Sequence, residues 1–212
     1  MRAPEEKALI DGPGGKIELI IENPGAPRGI ALIGHPHPLF GGMNTNKVAH
    51  SLARTFVALG YCAFRPNFRG VGLSEGTHDE GRGETDDMLA VLEEAKRRCG
   101  DLPVALAGFP FGGFVQTRVA KRLTEAGHPA QRLVLVGTAA GFVEGTRSYD
   151  TEAVPNDTIV IHGSADETVP PANVLKWAEP LELPVSVVPG ADHFFHRRLH
   201  VIREIITRSW RH

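Results

Sequence analysis

The chain has 212 residues, 42% of them hydrophobic and 23% charged, with Lys plus Arg at 23 against Asp plus Glu at 25. That length suits one well-cored domain spanning residues 1–212, and near-balanced charge without a long basic run argues against a nucleic-acid or polyanion partner. No stretch approaches the ~18 to 20 apolar residues that span a bilayer, and the start Met1-Arg2-Ala3-Pro4-Glu5-Glu6-Lys7 lacks a signal-peptide core, so the expected location is cytoplasmic.

In chain order, residues 16–22 and 29–34 are strand-like and are separated by the turn-rich Asn23-Pro24-Gly25-Ala26-Pro27, a pattern that predicts a hairpin between them. Residues 46–59 place Val48, Leu52, Phe56 and Leu59 near helical spacing, with Thr45 or Asn46 as the N-cap and Gly60 as the stop. A strand over 61–65 contains Cys62, and a helix over 83–98 carries Met88, Leu89, Val91, Leu92 and Ala95. The short apolar run 102–107 suits a buried parallel strand. Helix 111–126, strands 132–136 and 158–162, helix 171–178, strand 184–188 and helix 197–210 follow. The stretch 138–157 is irregular and too short for a helical cap, so the mouth of any site should be open. Cys62 and Cys99 are too few for a disulfide framework and are expected to be reduced.

Strands that alternate with helices in this way predict an α/β fold, a doubly wound and mostly parallel sheet with helices on both faces, open to antiparallel pairing at the first strands, whose sites lie at the carboxyl ends of strands. The loops at those ends are His35-Pro36-His37-Pro38-Leu39-Phe40-Gly41-Gly42, Gly108-Phe109-Pro110-Phe111-Gly112-Gly113, His162-Gly163-Ser164-Ala165-Asp166-Glu167-Thr168-Val169-Pro170, and Gly190-Ala191-Asp192-His193-Phe194-Phe195. In this order they resemble the oxyanion loop, nucleophile elbow, acid loop and histidine loop of the α/β-hydrolase superfamily. The resemblance covers nearly the whole chain. With Arg65-Pro66-Asn67-Phe68-Arg69-Gly70-Val71-Gly72-x-Ser74 and the minimal cap, the chain is similar to a small, lidless, esterase-like branch related to dienelactone hydrolases.

The resemblance implies a machine in which a nucleophile attacks a carboxylic ester, His193 takes its proton, Asp166 orients His193, and amide N–H groups hold the oxyanion. Read alone, Asp166 could be a turn or N-cap aspartate ahead of helix 171–178, and His193 a loop histidine among ten. The contexts His-Gly-x-x-Asp-x-x-Val-Pro and Gly-x-x-His-Phe, each after a strand, favour the catalytic positions. Glu167, Asp192, His196 and His200 are expected to be solvated, the two histidines on the final helix. Pro36 and Pro38 have no N–H, so the first oxyanion donor is His37 or Leu39, with Leu39 preferred, and the second is Phe111. Alternatively, residues 35–42 only turn the chain into helix 46–59. His35 and His37 lack companion ligands for a metal, Arg69–Ser74 lacks the ending of a phosphate loop, and no cofactor is implied.

The elbow departs from the family pattern. Its central residue is Pro110 where serine is expected. A nucleophile there sits strained at positive φ, whereas proline is fixed near roughly −65° and suits the first turn of a helix, so a relaxed elbow follows. Ser74, Ser164 and Cys62 lie on other elements and are poor substitutes. The functional expectation is a serine-esterase-type scaffold for a small or exposed ester, inactive or strongly impaired as written. The alternatives are a non-catalytic pseudo-hydrolase that binds a ligand, or a non-covalent enzyme in which His193 and Asp166 transfer protons. Oligomeric state is left open.

Overall fold

The computed structural model describes residues 4–143 and 147–210. The chain folds as β1 (Glu5–Gly12), β2 (Gly15–Glu22), β3 (Gly29–Gly34), α1 (Lys47–Ala58), β4 (Tyr61–Pro66), α2 (Arg82–Cys99), β5 (Val104–Gly108), α3 (Phe111–Glu125), β6 (Arg132–Val136), β7 (Gly141–Val143), β8 (Arg147–Tyr149), β9 (Ile159–Gly163), α4 (Pro171–Ala178), β10 (Val185–Val188) and α5 (Leu199–Ser209). The main sheet has eight strands in the order β1-β2-β4-β3-β5-β6-β9-β10, parallel from β4 to β10 and antiparallel at the β1-β2-β4 end.

The central strands read as unbroken apolar runs because both faces of the sheet are covered, yet their side chains still alternate. Ile30, Leu32, Leu106, Leu133, Leu135 and Val160 enter one core with α2, α3 and α4. Ala31, Ile33, Ala105, Ala107, Val134, Val136 and Ile161 enter the other, under α1 and α5.

The structure corrects several expectations. Residues 16–22 and 29–34 do not form a hairpin: β2 pairs with β1 and β4, and β4 lies between β2 and β3. The true hairpin is β1–β2, closed at Gly12 and Gly15. A charge helps select this arrangement, since the buried Glu22 of β2 meets the buried Arg65 of β4 at 3.0 Å. β1 escapes the sequence pattern because its edge is charged and exposed, a composition that protects an outer strand from further pairing.

The irregular stretch 138–157 contains an antiparallel ribbon, β7 with β8. Residues 144–146 of that stretch, and Met1, Arg2 and Ala3 of the supposed leader-free start, lie outside the described residues. The last helix starts at Leu199 rather than 197, because Phe195 at φ 51° and Arg197 at φ 60° adopt left-handed conformations that cannot continue a helix. His196 therefore sits in a turn and not on that helix. Among the described residues no cap domain is inserted, and no helix is long and apolar enough to cross a membrane.

Candidate active site

Strand β5 ends at Gly108 and α3 begins at Phe111, so the chain turns sharply through Phe109 and Pro110. The flanking glycines make the turn possible: a Cβ on Gly108 would strike the Gly112 backbone, and one on Gly112 would strike the backbone of Gly34. This close approach is fixed by the Gly112 N–H, which donates to the His35 carbonyl at 3.0 Å. Pro110 itself lies at φ −74°, ψ −40°, an ordinary helical conformation without strain. The first N–H groups of a helix have no intrahelical acceptor, and the helix dipole is positive there, so Phe111 offers its amide at the mouth of α3.

Asp166 and His193 come from the ends of the neighbouring strands β9 and β10, and the His193 Nδ1 lies 2.8 Å from Asp166 Oδ2. The other carboxylate oxygen, Oδ1, accepts the N–H groups of Thr168 at 3.0 Å and Val169 at 2.8 Å. Both lobes of the carboxylate are thereby committed, and a carboxylate on Nδ1 leaves Nε2 of the imidazole to face a reacting group. Both side chains are buried. The His193 ring packs against Phe109 at 4.9 Å and Phe194 at 5.0 Å, which fixes its plane. Behind Asp166, His162 shares its Nε2 between the Val169 carbonyl at 2.9 Å and Asp166 Oδ2 at 3.6 Å, and burial lowers its pKa.

On the loop over residues 35–42, His35 is a fully buried strut. Its Nδ1 contacts the Pro36 carbonyl at 2.6 Å and its Nε2 accepts the Phe68 N–H at 2.8 Å, so the ring is held neutral with the proton on Nδ1. Burial pushes its pKa down to about 3. His37 lines the cleft beside Phe111, with ring centroids 4.7 Å apart. Burial first, then the charges of His78 and Arg147, push its pKa down to about 4. Leu39 lies elsewhere: the 3-10 turn Pro38–Phe40 rolls its side chain out, 70% exposed, and its N–H donates to His37 Nδ1 at 3.3 Å. The structure thus brings His37 and Phe111, but not Leu39, to the walls that hold Pro110 and His193.

The cleft has a volume of about 690 Å³. Sequence reasoning missed part of its wall, namely Val143, Arg147 and Tyr149 of the β7–β8 ribbon and Phe194 of the histidine loop. The Arg147 guanidinium lies 4.1 Å from the Phe40 ring centroid. It also missed Glu84, fully buried at the start of α2, which accepts the N–H groups of Asp79 and Gly81 and meets His78 Nδ1 at 2.9 Å. That carboxylate holds His78 against His37 and Phe111. A Glu three residues after a glycine cap was the available signal.

The remaining candidates have other work. Ser74 Oγ donates to the Asn67 carbonyl and accepts the Glu18 N–H, and Ser164 Oγ accepts the Gly190 N–H. Burial pushes the Cys62 thiol pKa up, away from thiolate chemistry. Arg69 forms a fork on Asp87 with both bonds at 2.8 Å, a structural clamp on α2. Asp192 and His196 pair with each other at the surface, while Glu167 and His200 are exposed. Among the described residues, the grouping of metal-ligating type is Glu5, Glu22 and His50. The Arg65 guanidinium already bridges its two carboxylates, at 3.0 and 3.4 Å.

A sequence model of the alpha/beta hydrolase fold matches residues 36–152. The chain belongs to this family. A solved alpha-beta serine hydrolase homologue from Coxiella burnetii superposes on this α/β-hydrolase with TM-score 0.84 and 37% identity, covering 97% of each chain. A lidless serine hydrolase from Xanthomonas campestris matches it with TM-score 0.85 and 33% identity, over 99% of this chain and 94% of that one. An uncharacterized protein of Rickettsia prowazekii is 33% identical over 197 residues, 88% of this chain and 80% of its own length.

Proposed function

We propose that the cleft is a serine-esterase-type site for a small or exposed carboxylic ester in which proline occupies the nucleophile's place. As it stands, the chain binds its ligand with little or no turnover. The observation that carries this reading is the 2.8 Å contact of His193 with Asp166 in a cleft that Pro110 also lines.

With serine at 110, the chemistry would run in two halves. The serine Oγ attacks the ester carbonyl while His193 Nε2 takes its proton, and Asp166 stabilises the imidazolium. The tetrahedral oxyanion lies between the amides of His37 and Phe111; we assign the first donor to His37 because the Leu39 N–H is turned to the His37 ring. Collapse breaks the ester C–O bond, and the departing alkoxide takes the proton from His193. Water then repeats the sequence on the acyl-serine, releasing the acid and restoring the hydroxyl. Proline has no hydroxyl to start the first half. Losing the nucleophile of such a unit removes roughly 10⁶-fold in turnover, or about 8 kcal/mol of transition-state stabilisation.

A ligand-binding protein without catalysis is the second reading, and the unstrained Pro110 backbone favours it, since a relaxed elbow needs no compensating interactions. One experiment separates the two. The unmodified chain should resist fluorophosphonate labelling and show no burst with p-nitrophenyl acetate. Pro110→Ser should gain both, and Pro110→Ser with His193→Ala should lose most of the gain. An adduct on the unmodified chain would place the nucleophile elsewhere. A folded Pro110→Ser protein that neither labels nor hydrolyses leaves the binding reading standing, whereas burst-free hydrolysis by the unmodified chain that His193→Ala abolishes points to direct attack by water.

A further inference from the structure

A second hollow, of about 840 Å³, adjoins the cleft, and Gly41, Asn46 and Phe194 line both. It lies between the start of α1 and the turn that leads into α5. The apolar side chains that open onto it are Met43, Phe194 and the half-buried Leu199, with Val48 and Phe195 fully buried beneath them. Met43 and Phe194 form its walls, with 41% and 45% of their surfaces open. The left-handed backbone of Phe195 explains how adjacent phenylalanines come to serve opposite purposes, one turned into the core and the other standing over the hollow.

Apolar walls left open in a concave surface favour an apolar occupant, and cavities of this size are those that hold small molecules. No Asp or Glu lines the second hollow among the described residues; its polar side chains are Thr45, Asn46, His196, Lys47 and Arg197, and the aliphatic stems of the last two can lie along a hydrocarbon while their heads stay in water. Continuity with the cleft identifies the occupant as part of the same ligand. We propose that this hollow is an acyl-chain subsite: the ester carbonyl lies between Pro110 and His193, and an unbranched acyl chain of medium length runs past Phe194 over Met43 and Leu199. The proposal rests on the reading of the cleft as an ester site and narrows the substrate class to medium-chain esters.

The test uses the protein as it is, because an inert nucleophile position allows esters to be titrated without turnover. Isothermal titration with methyl butyrate, methyl hexanoate and methyl octanoate should give affinities that rise about two- to fourfold per methylene. Met43→Glu should cut methyl octanoate affinity at least about tenfold while methyl butyrate binds as before, since a charge in the trough opposes only the longer chain. Met43 is exposed enough for the variant to fold, and Leu199→Lys gives an independent lesion. Equal affinity across the series, or equal losses for butyrate and octanoate, would overturn the proposal. So would sedimentation showing that the chain self-associates and that Met43→Glu only makes it monomeric, since a second copy would then cover the trough. These titrations need no nucleophile, so they are distinguishable from failure of Pro110→Ser to label.

Discussion

His35 makes the fold sensitive to acid in a way that can be worked out from one side chain. In the folded protein it must be neutral, because its Nε2 accepts the Phe68 N–H at 2.8 Å and its Nδ1 contacts the Pro36 carbonyl at 2.6 Å. Burial pushes its pKa down to about 3, against 6.5 when exposed in the unfolded chain. The folded state therefore binds fewer protons than the unfolded state between those values, and its stability falls as pH is lowered through that window. Linkage gives a loss of about 2 kcal/mol at roughly pH 5 and about 3 kcal/mol at roughly pH 4, relative to neutral pH, from this residue alone. At about 2 to 4 °C per kcal/mol for a domain of this size, the melting temperature should drop by about 4 to 8 °C by pH 5. Other groups titrate as well, so the decisive measurement is a comparison with His35→Gln, whose amide can accept and donate without titrating. Urea unfolding should find that variant less stable at neutral pH, with the gap narrowing by about 2 kcal/mol at pH 5. Parallel stability curves for the two proteins would refute the reasoning.

Three further outcomes follow from the same contacts. Pro110→Ser should lower stability by about 1 to 4 kcal/mol, since serine frees the unfolded chain and a working elbow demands a strained backbone, and calorimetry should show the melting temperature falling while fluorophosphonate labelling appears. In that background Asp166→Asn should reduce kcat for p-nitrophenyl acetate by about 10⁴-fold through the wrong His193 tautomer, yet melt close to its parent because an amide oxygen can still accept the Thr168 and Val169 N–H groups. Arg65→Met should cost about 3 to 5 kcal/mol by stranding the buried Glu22, and adding Glu22→Leu should recover most of it; a double variant no more stable than the single one would show that packing, and not charge, explains the loss.

The parallel core was legible because strands such as Arg132–Val136 are short, mostly apolar and bounded by turns, and because the helix from Lys47 starts on Asn46, whose Oδ1 caps Val48 at 2.9 Å. The strand partners at the antiparallel end were not, since β1 opens with Glu5, Glu6 and Lys7 at an exposed edge and β2 meets β4 through Glu22 and Arg65, a contact 43 residues apart. The site shows the same division. Loops that sit at strand ends can be read from the order of elements, and Pro110, Asp166 and His193 were picked out within them by the family resemblance. What lies around them cannot: the β7–β8 ribbon brings Tyr149 to the cleft by chain reversal, and Leu39 is carried away by a 3-10 turn that opens on Pro38.

The geometry of the turn between β5 and α3 explains why proline sits at 110 without strain. What the fold requires there is the absence of a Cβ at Gly108 and Gly112, so that β5, α3 and the end of β3 can meet. Residue 110 need only turn the chain, and proline at the start of a helix does so at φ −74° without strain. Asp166 and His193 are held by other contacts, Asp166 by the amides of its own loop and His193 by Phe109 and Phe194. A change of the side chain at 110 therefore unties none of these contacts. Stability and catalysis separate at this one position: the residue that would carry the chemistry contributes no side-chain bond to the fold, and the residues that shape the fold around it contribute no nucleophile.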